Sequence, residues 1–505
     1  MSASLTPPPQ SATIPFREIP ALWQLPGSYA EVQPNYGQQG VTAWPAKELL
    51  IGQAITGTPG ALLVPTQIFR VSDATAFWGA GSMIEGMVAA FIAANPYTPL
   101  YSIAVADAAG AAKATGTFTV GGTWSQPGTL ALYVAGQRVQ VGVLATDTPT
   151  TVAANAVTAA NAVAPGALAL PAVATSALGV VTMTARNAGA EGNNILLEVS
   201  AEPGDYLPAG MTVTIAPMAA GATNPTLTAV INAITGIWFT DIVLPWQDTT
   251  NVSALTAELA ARYGAMEVED AQAYITFTGT LASAQSAALA ANCKQLCPVT
   301  ATSPPSAPWA FSASLAGVAA FKLTNDPARQ IGDLPLPGIV GPRPVNRLTT
   351  DEMNLALLGG LSPIRVNQDG TVMLVRVVTS YLTDSQGVPD PFWHDIMTPK
   401  VMSRIRYDWN AYRKQVYPSN KLADSGSVAA EYDPTVATPQ RLAASWAARY
   451  RLYMELGWLE NSALATQAVF VRNSSDPNRV DCSLPMQIIG NLMVTAAVMS
   501  FQLNG

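Results

Sequence analysis

The chain has 505 residues, enough for several domains, with 49% hydrophobic and only 11% charged residues and a net charge of −8. So little charge does little to keep copies apart in solution and suits a surface largely covered by other subunits, while the acidic balance argues against nucleic acid as a direct partner. Three cysteines (Cys293, Cys297, Cys482) are too few for a disulfide framework, and Cys293 and Cys297 beside a single histidine, His394, read as buried thiols rather than half of a zinc site.

Residues 1–45 read as an extended arm. Its seven prolines from Pro7 to Pro34 forbid a helix. Between them sit Ile14, Phe16, Ile19, Leu22, Trp23, Tyr29 and Val32, large apolar groups that such a segment cannot bury by itself. They call for a surface elsewhere, on another copy of the chain or on the arm's own domain. The first residues, MSASLTPPPQ, lack the basic start and apolar core of a signal peptide, and a reducing compartment is expected at synthesis.

Residues 46–110 predict a β-α-β unit: a strand at Glu48–Ile51, one helix from Asp73 to Ala94, and a strand at Leu100–Val105. Gly57-Thr58-Pro59-Gly60 lacks the Lys-Ser/Thr of a phosphate loop and reads as a turn. Residues 111–225 turn to Ala, Gly, Thr and Val, with short strands at 117–120, 129–134, 138–143, 180–184 and 195–199 and a helix over 151–163. This predicts a β-rich domain inserted into the α/β one and projecting from it. Residues 226–320 resume the α/β alternation, with strands at 238–244 and 273–278 and helices at 227–234, 252–263 and 282–291.

Residues 321–505 predict a C-terminal α+β domain. Asp351 and Glu352 open a short helix, where carboxylates suit the helix dipole. Two long helices follow, about 392–417 and 439–459. Between Ile396 and Lys421 the chain carries Lys400, Arg404, Arg406, Arg413, Lys414 and Lys421 against Asp408 alone, a basic stretch in an acidic chain that predicts contact with an acidic partner. The ending, Pro485–Leu503, is uncharged and keeps Ile488, Leu492, Val494, Val498, Phe501 and Leu503. It predicts one or two strands ending at an unpaired edge, which invites another chain. Gln487, Asn491 and Gln502 and the lack of flanking Lys or Arg argue against a membrane helix.

Catalysis finds little support. His394 lies beside Asp395, but no nucleophile-elbow sequence exists, and a packing role is expected. Adjacent Asp351 and Glu352 point apart on a helix. No dinucleotide or phosphate-loop fingerprint is present, so neither enzyme activity nor cofactor is expected.

The arm IPFREIPALWQLPGSYAEVQPN, the insertion's GTLALYVAGQRVQVGV and ARNAGAEGNNI, then LTNDPARQIGDLPLPGIVGP, PFWHDIMTPKVMSRIRYDWNAYRKQVYP and the ending DCSLPMQIIGNLMVTAAVMSFQL occur in that order. Together they resemble the tail sheath proteins of contractile bacteriophages, closest to the Mu-like branch. The resemblance implies a structural subunit of the virion tail, made in the host bacterial cytoplasm, that polymerises as stacked hexameric rings. Its partners would be neighbouring sheath subunits, the tail tube protein, and the baseplate and tail terminator proteins. The terminal arms would pair with neighbouring subunits, and the basic helix would face the tube. Contraction would drive the tube through the host envelope. The other reading is a virion surface or receptor-binding protein with 111–225 as its recognition module.

Overall fold

The computed structural model describes residues 25–28, 40–162 and 167–501 of a mixed α/β chain. Met1–Thr42 and Ala43–Gly505 form two units. The first is described only at residues 25–28 and 40–42, where Leu25 is exposed.

The second unit is built on a nine-stranded sheet. Its strand order is Leu334–Pro335, Val372–Leu374, Ser362–Val366, Leu296–Thr300, Gln272–Phe277, Asp241–Val243, Glu48–Gln53, Leu100–Val105, Thr66–Ile68. The five neighbouring pairs from Ser362–Val366 to Leu100–Val105 are parallel, and the strands outside them are antiparallel. Parallel strands need cover on both faces, which explains the unbroken burial of Glu48–Gln53, Gln272–Phe277 and Leu296–Thr300.

Alternation along each strand sorts side chains to two cores. Leu50, Ala104, Tyr274, Cys297 and Val299 face the helices Met83–Ala94 and Pro308–Asn325. Leu49, Ile51, Ile103, Ile242 and Ile275 face Thr249–Arg262 and Leu281–Ala291. Each Leu, Ile or Phe so buried contributes about 1.5–3 kcal/mol of transfer free energy. The helices on the first face pack closely because Gly317 faces Ala94: a Cβ at position 317 would lie 2.9 Å from the Ala94 Cβ.

The helix expected from Asp73 to Ala94 is two helices, Val71–Trp78 and Met83–Ala94. Gly79 and Gly81, at φ 90° and 77°, break it in a conformation that glycine adopts without strain. Ser82 then caps the second helix by accepting from the Glu85 N–H at 3.2 Å.

Between Leu100–Val105 and Asp241–Val243, the chain forms two further sheets. One is antiparallel, ordered Met211–Ala219, Thr115–Gly122, Val180–Ala185, Ala172–Ala177; the other is Gln137–Val143, Gly128–Val134, Leu197–Val199. The helix Pro149–Asn161 packs Val152, Ala153 and Ala156 into the same core as Phe118, Leu132 and Val181. Polar groups tie this segment to the large sheet. Gln53 Nε2 donates to Ala188 O at 2.6 Å and to Asp107 Oδ1 at 2.7 Å, and Asn187 Nδ2 donates to Ala54 O at 2.9 Å.

The C-terminal region holds the helices Met397–Val416 and Pro439–Glu455. Trp446, Tyr450 and Tyr453 are fully buried on the second, at the helical spacing legible in the sequence. The wholly buried Asp408 carboxylate accepts from Tyr453 Oη at 2.6 Å and from Arg449 Nε at 3.1 Å. Such a charge is tolerable in the interior only because it is ion-paired and hydrogen-bonded there.

Candidate assembly surfaces

The basic helix spends most of its charge inside the chain. Lys400 is buried, and its Nζ lies 2.5 Å from Asp241 Oδ1 on the large sheet. Tyr274 Oη donates to the same carboxylate at 2.8 Å. Beside them Glu48 is fully buried with both carboxylate oxygens unpaired among the described residues. Burial, and then the nearby Asp241 charge, pushes its pKa well above the usual carboxylate range. Arg404 is also buried, with its guanidinium 5.6 Å from each of the Trp44 and Trp458 ring centres. Arg406 pairs with Asp270, donates to Tyr263 O at 3.0 Å and lies over the Tyr263 ring.

These three residues fasten the helix to the α/β body, so the helix's five solvent-facing cations are corrected to two, Arg413 and Lys414, both exposed. The sequence shows the cations, but their acidic partners Asp241 and Asp270 lie 159 and 136 residues away from Lys400 and Arg406, beyond the reach of any local pattern.

The chain's ending departs further from expectation. Gln487–Ile488 pairs antiparallel with Leu459–Glu460, and Ile489 N–H donates to Trp458 O at 3.1 Å. Gln330 donates to Met493 Sδ and Asn491 to Met397 Sδ. Beyond Met493 the described residues form no strand, which corrects the free C-terminal strand read from the sequence. An isolated strand leaves its backbone groups unpaired and has nothing to hold it in register. The segment nonetheless remains apolar and open to solvent: Leu492, Val494 and Phe501 are 82%, 81% and 83% exposed, and Val498 99%. Leu503 lies outside the described residues, as do Ile14, Phe16, Ile19, Leu22, Trp23, Tyr29 and Val32 of the N-terminal arm.

Where the ending leaves the body, a cleft of about 640 Å³ opens between Phe392–Met402 and Met486–Met493. It is lined by Met397, Met402, Met486, Ile488, Ile489 and Met493, flexible side chains that adapt to varied apolar shapes. The hairpin Val469–Arg472 with Val480–Ser483 was missed in the sequence. Its signal was the alternation in Val469-Phe470-Val471-Arg472 before the turn-forming Ser474–Asn478. It is a separate two-stranded sheet, with Val469 and Val471 exposed and each strand keeping an outer edge unpaired by any described strand.

The residues weighed for catalysis have structural roles. Glu352 and Thr349 form a reciprocal cap: Thr349 N–H donates to Glu352 Oε2 at 2.8 Å and Glu352 N–H to Thr349 Oγ1 at 3.3 Å. Asp395 pairs with Arg376 at 2.6 Å, and burial lowers the pKa of the neighbouring His394. Cys293 and Cys297 are buried, and burial raises both thiols. Among the described residues no group of three or more His, Cys, Asp or Glu could hold a metal, and no helix is long and apolar enough to cross a membrane.

Residues 220–380 match the family model for the phage tail sheath protein central domain. The chain is 26% identical over 490 residues to the Mu-like prophage FluMu tail sheath protein of Haemophilus influenzae, covering 97% of this chain and 99% of that protein. Solved structures similar to it include the sheath tail protein from Desulfitobacterium hafniense, 12% identical, covering 92% of this chain and 97% of that one, with a TM-score of 0.49. The helical sheath of the anti-feeding prophage in the contracted state is 13% identical, covering 96% of this chain and 100% of that one, with a TM-score of 0.48. The sequence resemblance to a Mu-like tail sheath protein therefore holds along nearly the whole chain, and the middle of the chain matches the sheath central-domain model.

Proposed function

We propose that the chain is the structural subunit of a contractile tail sheath, polymerising as stacked hexameric rings around a tail tube and contracting to drive the tube through the host envelope. The observation that carries this reading is the match of residues 220–380 to the sheath central domain within a full-length likeness to a Mu-like tail sheath protein.

The geometry supplies a way for subunits to stay linked. Residues 494–501 offer apolar side chains and an unpaired backbone, and the hairpin at 469–483 offers open edges. The C-terminal segment of one copy adds to the hairpin of the next, and the N-terminal arm makes a second such link. Links through extended segments let the bodies rotate without parting. Arg413 and Lys414 face the tube, where salt-screened contacts are readily released. Residues 111–225 project outward as an inserted domain, between the two parts of the α/β domain at 46–110 and 226–320. Residues 321–505 form the inner domain. The partners are neighbouring copies, the tube protein, and the baseplate and terminator proteins; the site of action is the virion tail. No cofactor, membrane insertion or direct nucleic-acid contact enters this mechanism.

Electron microscopy of the purified chain tests the reading. Long striated tubes are expected. Discrete monomers or trimers that stay so when tail tube is added would overturn it.

A further inference from the structure

Two well-separated places along the nine-stranded sheet carry uncovered apolar patches. At one end, the loop before the edge strand Thr66–Ile68 exposes Leu62 and Val64, and Phe69 follows the strand at 72% exposure. Toward the other end, the helix Thr350–Leu358 exposes Leu355 and Leu358, at 51% and 67%, one turn apart on one face. Gln285 Nε2 of the adjacent helix donates to Leu355 O at 2.8 Å, and Leu289, one turn further along that helix, is exposed too.

Neither patch can cover the other within one copy. Strands in a sheet stand about 4.8 Å apart, and the helix Thr350–Leu358 packs on Ser362–Val366, six strand spacings from Thr66–Ile68, so the patches lie on the order of 30 Å apart. Strand addition does not explain the first patch either, because its edge strand has three residues and follows Pro65, two devices that blunt pairing. The charges beside the patches are complementary. Arg70 is exposed next to Phe69 and Asp351 is exposed one turn before Leu355, and neither makes an ion pair among the described residues. Their like-sign or opposite neighbours are engaged: Asp73 accepts from Arg70 N–H at 3.0 Å, Glu352 caps its own helix, and Arg347 donates to Pro342 O.

We infer that the patches are the two halves of a head-to-tail contact between copies of this chain, with Leu62, Val64 and Phe69 of one copy packing on Leu289, Leu355 and Leu358 of the next and Arg70 meeting Asp351. A contact between two different patches of the same chain repeats from copy to copy and closes a ring or winds a helix. The inference rests on the tail-sheath reading and adds to it a contact between folded bodies, distinct from the links through the chain's ends.

The test is cross-linking in assembled polymers. In a Cys482→Ser chain, whose other cysteines are buried, Phe69→Cys and Leu358→Cys are introduced singly and together, and the polymers are treated with a short bismaleimide. The doubly substituted chain is expected to give a ladder of oligomers that neither single variant gives. Polymers without such a ladder would overturn the contact while leaving the sheath reading standing. Failure of the Cys482→Ser parent to polymerise, with or without tail tube, would overturn both. As a second measure, Arg70→Glu and Asp351→Arg are each expected to raise the critical concentration for assembly about fivefold, and the double reversal to restore it. Equal and additive effects in the double variant would count against the pairing.

Discussion

The large sheet and the chain's ending obey the same rule with opposite results. In the sheet, Leu100–Val105 has a partner on each side and helices over its faces, so its backbone pairs and its apolar side chains are buried within the copy. The ending has the apolar content of a strand but no partner after Met493, and Val498 and Phe501 stand in solvent. Hydrophobic content alone does not make a strand; a neighbouring edge does. A body with its own closed core beside an ending that has none is the arrangement expected of a subunit that folds first and assembles second.

The largest expected effect breaks the body. Asp408→Ala leaves Arg449 buried without its carboxylate and removes the acceptor of the Tyr453 hydroxyl. A loss of about 3–5 kcal/mol in urea unfolding is expected. A loss near zero would mean that the C-terminal helices are not held by this pair.

Glu48→Gln sharpens the contrast from the opposite direction. Burial raises the Glu48 pKa from its ordinary 4.5, so the folded state holds a proton that the unfolded state releases. Glu48 is therefore tolerated below about pH 4.5 and costs stability as pH rises through the folded-state value. The glutamine variant should be more stable than the parent at pH 8 and gain little at pH 4.5. A gain independent of pH, read from melting curves across that range, would refute the assignment. A smaller effect is expected of Arg413→Glu with Lys414→Glu: melting stays within about 0.5 kcal/mol, as for other exposed changes. Binding to tube weakens about tenfold, and tube-free polymers are unaffected. Unchanged tube binding would remove these two residues from that contact.

The sequence reveals what depends on near neighbours. Strands such as Leu100–Val105 and Gln272–Phe277 are visible as apolar runs because both faces are covered. Pro439–Glu455 is visible through its aromatic spacing. The strand Ala172–Ala177 is hidden because it carries small alanines, a threonine and a serine around one valine, whereas Met211–Ala219 shows its alternation in Met211-Thr212-Val213-Thr214-Ile215 and was overlooked. The break at Gly79–Gly81 was hidden by a continuous apolar pattern on either side. For the basic helix, charge was legible and its destination was not, since Lys400 and Arg406 close on acids more than a hundred residues earlier. The ending is legible as apolar; Gln487–Ile488 forms a strand as expected, while residues 494–501 form none, since no described strand pairs with them.

The most direct test of that last point is to end the chain at Met493 and measure melting, sedimentation and polymerisation together. The account predicts a melting midpoint equal to the parent's, with a particle that sediments as a small species and forms no tubes. Normal tubes from the shortened chain, or a collapse of its melting midpoint, would contradict the claim that residues 494–505 act on a neighbouring copy and not on their own.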